Sequence, residues 1–203
     1  MLRWRHVEIS GSFLVLMALL YYLDGGALLF PALLACAFHE LGHFLAIALL
    51  GGRVVLLRLS CIGAEMRLST RRRLNCPREL IAALAGPAAN LFLTFVAAKL
   101  APAIGEPGYV FAGLNLTLAL FNLLPVPQLD GGRILKNALT LFGLERWAEG
   151  AVKLLAVWIG MVFIISSWVL ARRGQLNLTL IITAAWMIFP NLPVKEQEKR
   201  SFS

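Results

Sequence analysis

Six long apolar runs govern what this chain can fold into: residues 12–23, 27–50, 80–101, 108–125, 154–171 and 176–190. Several reach the ~20 residues that carry an α-helix across the hydrocarbon core of a bilayer. Soluble domains are about half apolar and about a quarter charged. Here hydrophobic residues make up 59% and charged residues only 15%. The expected fold class is an all-α polytopic membrane protein of about six transmembrane helices.

A formal charge of +8 would suit a nucleic-acid binder, but the basic residues follow topology instead. With six crossings and a cytosolic N-terminus, sixteen of the 19 Lys and Arg fall on the inner side. Only Lys99, Arg172 and Arg173 remain outside. That is the positive-inside bias, so both termini are expected in the cytosol and no nucleic-acid partner is implied. The Arg71-Arg72-Arg73 run adds an expected attraction to anionic lipid, and His6 reads as a solvated N-terminal residue. The N-terminal stretch has arginines ahead of an apolar core, as a signal peptide does. Tyr21-Tyr22-Leu23-Asp24 stands where a small-residue cleavage site would be, so a retained, short first helix is expected. Cys36, Cys61 and Cys76 are odd in number and lack metal-knuckle spacing, which points away from a disulfide framework.

Residues 1–203 read as one membrane-embedded domain, with a core over about 27–140 and additional helices within 150–193. The longest polar stretch runs from Gly51 to Glu79 and contains RVVLLRLSCIGAEMRLST. Its β-branched and apolar residues predict two short strands around a turn, a small membrane-associated hairpin or sheet after the second helix. In 80–101, Ala82, Ala83, Ala85, Gly86, Ala88 and Ala89 give a face on which a second helix can approach closely. Pro87 interrupts its backbone bonding and should bend it. In 111–135, Pro125, Pro127, Gly131 and Gly132 end the helical pattern around Asp130, and a new helix is expected near Arg133. Irregular backbone at membrane depth is tolerated only inside protein or beside a wet cavity, so Asp130 marks an interior site.

The chemistry concentrates in HELGH, residues 39–43, within an otherwise apolar span. One helical turn separates His39 from His43, so both imidazoles project from one face. Two nitrogens so placed can hold zinc at about 2.0–2.1 Å each. Glu40, next in the chain, then stands as general base toward water, the H-E-x-x-H arrangement. Ionisable groups at such depth are expensive and by default functional. A hydrolytic zinc site takes a third protein ligand, and Asp130, Glu65 and Cys36 are the candidates. Glu65 also reads as a solvated loop residue, Cys36 as a small apolar one, and Asp130 as a helix cap.

Taken together, HELGH on the second span, AGPAAN (85–90) and NLLPVPQLDGG (122–132) resemble the site-2 protease family of intramembrane zinc metalloproteases. The order and separation of the three motifs carry the resemblance, which covers the chain to about residue 140. It implies His39, His43 and Asp130 as ligands of one Zn²⁺ per chain, with Glu40 as catalytic base. It places Asn122 as a catalytic candidate for substrate backbone or oxyanion, and Asn90 as a substrate-binding or site-steadying residue. The implied activity is hydrolysis of a peptide bond in or near the transmembrane segment of a membrane-tethered precursor, such as an anti-sigma or pro-sigma factor. A bacterial inner membrane is implied too, and regulation is left open between a regulatory partner, the lipid and prior cleavage of the substrate. The pattern is similar to the compact sporulation-type branch, and neither a PDZ-like insert nor a cystathionine-synthase-type domain is expected. Gln128 departs from the asparagine-proline-aspartate form of some members. An exposed strand edge in 53–70 is expected to hold substrate unwound, with Val55–Leu59 as the sensitive stretch. The alternative is a zinc-binding membrane protein without proteolysis: a chaperone, transporter subunit or scaffold.

Overall fold

Every one of the six apolar runs becomes a helix in the computed structural model, which describes residues 2–4, 7–60, 63–69, 74–175 and 177–191. The expectations for His6, Cys61, the Arg71-Arg72-Arg73 run and the basic C-terminal tail fall outside these residues. The helices are α1 (Gly11–Asp24), α2 (Leu29–Leu49), α3 (Cys76–Ile104), α4 (Glu106–Asn122), α5 (Asp130–Leu141), α6 (Glu145–Arg172) and α7 (Leu178–Ile188). Among the described residues, α2, α3 and α6 are long and apolar enough to cross a membrane; α1 and α7 are apolar but shorter. Large apolar side chains point outward along these helices, including Phe92, Phe95, Trp158, Ile165 and Trp168. A soluble monomer rarely exposes so continuous an apolar surface, whereas lipid requires one.

The interior is built mostly from small residues. Ala35, Ala83, Ala101, Ala119, Ala156 and Ala184 are buried to 1% exposure or less. Where lipid is as apolar as leucine, close backbone approach replaces the hydrophobic effect as the source of helix cohesion. The α2–α3 crossing illustrates this: a Cβ on Gly42 would lie 2.7 Å from the Ala85 carbonyl oxygen and 2.9 Å from the Ala89 Cβ. The predicted small-residue face of α3 therefore receives α2. Helix α3 runs unbroken through Pro87.

The expected hairpin is present as β3 (Val54–Ser60) and β4 (Gly63–Leu68), but it belongs to a larger sheet. Strands β1 (Leu2–Trp4) and β2 (Val7–Ile9) extend it to four strands in the order β1-β2-β3-β4, with β2 parallel to β3 and the other pairs antiparallel. Register sets Arg3, Glu8, Arg58 and Glu65 in one cross-strand row. Glu8 pairs with Arg58 at 3.6 Å. The flanking rows are apolar: Leu2, Ile9, Leu59 and Ala64 on one side, Trp4, Val7, Leu57 and Met66 on the other. Successive strand residues alternate faces, so Glu8, Arg58 and Glu65 share one face of the sheet, and Val7, Ile9, Leu57, Leu59 and Met66 share the other. Met66 and Leu68, with Val54, pack on Ile47 of α2 and Leu74 and Ala82 near the start of α3.

A second apolar cluster lies behind Asp130. Val126 and Leu129 pack with Ala156 of α6 and Met187 of α7, so the C-terminal hairpin buttresses the turn that presents the aspartate. Helix α5 starts at Asp130 itself, three residues earlier than expected. Both glycines after it answer to crowding. A Cβ on Gly131 would collide with the Leu123 and Leu124 carbonyls, and one on Gly132 with the Val126 carbonyl and Pro127.

Candidate metal centre

Helix α2 is 21 residues long and continues the helical rise through His39 and His43, which are 4% and 7% exposed. The turn after α4 brings in Asp130 from 87 residues further along the chain, also buried. Its Oδ2 lies 3.0 Å from Nε2 of His39 and 3.0 Å from Nε2 of His43, and the two nitrogens are 3.1 Å apart. Three ligand atoms on a tetrahedral zinc with bonds near 2.0–2.1 Å stand about 3.3–3.4 Å from one another. The observed triangle needs to open by only a few tenths of an ångström.

Proton placement decides what such a triangle can hold. The Nδ1–H of His43 donates to the Ala82 carbonyl at 2.8 Å, an atom that can only accept. The Nδ1–H of His39 donates to Asn90 Oδ1 at 2.5 Å. With both Nδ1 atoms protonated and the rings neutral, both Nε2 atoms present lone pairs toward a carboxylate oxygen. Three acceptors then converge with no proton between them, and a cation resolves that arrangement. Fixing the ligand tautomer through the far nitrogen is how proteins orient histidines on metals. Among the described residues, His39, His43 and Asp130 form the one group of three such side chains close enough to share an ion.

One stripe of α3 serves this purpose. Ala82, Gly86 and Asn90 recur every four residues, on the face turned to α2. Ala82 supplies the carbonyl to His43, and Asn90 supplies the oxygen to His39. Gly86 supplies room, for a Cβ there would overlap the His43 ring.

Glu40 is half-buried and within electrostatic reach of His39, His43, Asp130 and Arg133. The guanidinium of Arg133 stands 3.9 Å from Asp130 Oδ1, the oxygen turned away from the histidines. The other two ligand candidates lie elsewhere. Glu65 is exposed on β4 and pairs with Arg67 at 3.1 Å. Cys36 is exposed and lines an apolar crevice between α2 and α4, with Ala35, Leu118 and Phe121. Asn122 ends α4, half-buried, with one amide hydrogen committed to the Leu118 carbonyl at 3.0 Å and the other without a partner among the described residues. Asn90 is fully buried and its amide is engaged by His39, Ala35 and Asn115. That geometry favours its steadying role over contact with substrate. Sequence reasoning missed Asn115, although a third asparagine inside an apolar span, two helical turns before Asn122, was a signal.

The expected strand edge also shifts. Strand β3 is flanked by β2 and β4, so Val55–Leu59 lies in the sheet interior, and β4 is the edge strand on that side.

Comparison with known proteins bears on the same features. The profile of peptidase family M50 matches residues 97–167, which include Asn122 and Asp130. The resemblance to the site-2 protease family stands. A Synechocystis sp. protein named as a candidate zinc metalloprotease, sll0528, is 39% identical over 119 residues. That alignment takes in 54% of this chain and 30% of the relative, so the chain spans under a third of that protein's length. The site-2 protease from Methanocaldococcus jannaschii superposes with a TM-score of 0.68 at 20% identity, over 94% of this chain and 92% of that one. The fold is thus of the site-2 protease type, and within it His39, His43 and Asp130 lie close enough together to hold a metal ion.

Proposed function

We propose that this chain is a zinc-dependent intramembrane endopeptidase that cleaves a membrane-tethered protein precursor in or near its transmembrane segment. The observation that carries this reading is the convergence of three lone-pair atoms within 3.1 Å, two from the membrane-type helix α2 and one from the start of α5, with Glu40 beside them. Zinc bound there would act as a Lewis acid, polarising the scissile carbonyl and making water a better nucleophile. Glu40 takes one proton from the attacking water as the carbon–oxygen bond forms. It then delivers that proton to the departing amide nitrogen as the carbon–nitrogen bond breaks. The second amide hydrogen of Asn122 is suited to the oxygen that gains charge in between. Asp130 Oδ2 and the two Nε2 atoms would hold the ion, and Asn90 and Ala82 hold the rings.

The same elements support a reading of depth and side. Eight residues separate His43 from Gly51, a rise of about 12 Å, so the site lies below one membrane surface. Pairing of β2 with β3 brings the strand that precedes α1 and the strand that follows α2 to one end of the helices. The thiol of Cys76, donating to the Asn137 carbonyl at 3.3 Å, adds α5 to that end. Arg53, Arg58, Arg67, Arg78, Arg133 and Lys136 lie on or beside these segments, which supports a cytosolic assignment for that end; the family resemblance supports a bacterial inner membrane, with both termini cytosolic. Beside the site, β4 offers an edge on which an unwound stretch of substrate can add as a strand.

Metal dependence tests the reading. Purified protein in liposomes with a tethered model substrate should cut, stop on chelation and recover with zinc. His39→Ala should lose both zinc and cleavage. Cleavage that survives chelation would rule out the metalloprotease reading.

A further inference from the structure

We infer that Asn115 is a positioning residue for the metal ligand His39, acting through Asn90. The inference rests on the metal-centre reading above. Asn90 and Asn115 are both at 0% exposure, on α3 and α4 respectively. Asn115 Nδ2 donates to the Phe111 carbonyl at 2.9 Å. Its Oδ1 accepts from Asn90 Nδ2 at 2.7 Å, and Asn90 Nδ2 also donates to the Ala35 carbonyl at 3.1 Å. Asn90 Oδ1 is thereby turned to His39 Nδ1.

The polarity of this chain of bonds has one consistent direction. Backbone carbonyls only accept, so Phe111 dictates which end of the Asn115 amide faces it. Rotating that amide would set oxygen against the Phe111 carbonyl and nitrogen against Asn90 Nδ2. Rotating Asn90 would set its oxygen against both Ala35 and Asn115, and its nitrogen against His39. His39 would then have to carry its proton on Nε2, and the ligating lone pair would be lost. Two backbone carbonyls, read through two amides, thus hold His39 in the tautomer that binds metal. In a dry interior an amide facing the wrong way has no water to rescue it, which makes the ordering strict.

Zinc affinity separates this role from plain attachment of α4 to α3. The full chain in detergent would be titrated with zinc against a chelating dye, and with Co²⁺ followed by its visible absorption. Asn115→Ala should weaken zinc about tenfold, the low end for outer partners of a metal ligand, because Ala35 still orients Asn90. Asn115→Leu fills the same space with an apolar group suited to the span, so it guards against simple misfolding and should show the same loss. Both should alter the Co²⁺ spectrum. In an Asn90→Ala background, Asn115→Ala should cost nothing further, since its route to His39 is already cut. Zinc affinity within twofold of wild type in Asn115→Leu, or an undiminished loss in the Asn90→Ala background, would overturn the relay while leaving the metal centre standing. A wild-type chain that binds no zinc would overturn the metal centre, and the relay with it.

Discussion

Gly86→Ala adds one methyl group at the place where α3 meets His43, and the structure sets the size of its effect. The new Cβ would lie 2.6 Å from Cε1 and 2.7 Å from Cδ2 of the imidazole, and nearer still to Nε2. Carbon atoms rest at about 3.5–4.0 Å, so the ring or the helix must retreat by about 1 Å. A zinc–nitrogen bond of about 2.0–2.1 Å does not stretch by half its length. His43 is also tied to Ala82, one turn away on the same helix, so α3 cannot back off without giving up the bond that sets the tautomer. His43 should therefore drop out as a ligand. Loss of affinity should reach at least about 100-fold, the upper end of what outer-partner changes produce. Gly113→Ala is the control, because nothing lies within 4 Å of a Cβ there. Chelator competition on the detergent-solubilised proteins would measure both. Zinc binding in Gly86→Ala within threefold of wild type would refute the seating of α3 against the metal ligand.

Three further outcomes follow from the same geometry. Asn122→Ala should keep its zinc while kcat falls by about 10²–10³-fold, the loss typical of an oxyanion donor; an unchanged kcat would remove Asn122 from the reaction. Proline scanning along β4 should find positions that retain zinc yet raise KM for a tethered substrate, because proline takes a donor from the strand edge. Cleavage unaffected at every β4 position would exclude strand addition there. Adding zinc to the chelated protein should raise its Tm, since an ion that binds only the folded state stabilises it by mass action; the Asp130→Ala protein should show no such rise.

Much of the centre was legible in the sequence because polar groups inside apolar spans have few innocent explanations. Helical spacing in HELGH marked His39 and His43 as a candidate ligand pair, and the glycine- and proline-bracketed Asp130 stood out as an interior acid. The structure joins them and sets aside Glu65 and Cys36. The small-residue face of α3 was readable too, but its purpose, making room for the His43 ring at Gly86, needed the helix pairing. Leu2-Arg3-Trp4 and Val7-Glu8-Ile9 alternate as strands do, yet arginines ahead of an apolar helix also read as an orientation signal. The parallel pairing of β2 with β3, across nearly fifty residues, is what makes them a sheet. That same pairing moves the exposed edge from β3 to β4. Asn115 was hidden for a similar reason, since its partner Asn90 is 25 residues away on another helix and the amide polarity exists only in three dimensions.

The most direct test pairs zinc stoichiometry with cleavage for wild type and Glu40→Gln, in liposomes carrying a tethered model substrate. Glutamine preserves shape and leaves His39, His43 and Asp130 untouched but cannot accept the proton of the attacking water. Wild type should hold one zinc and cut, while the variant should hold one zinc and cut at least about 10²-fold more slowly, as expected for loss of a general base. Equal cleavage by the two proteins, or a wild type with full zinc that cuts no membrane substrate offered, would contradict the protease reading.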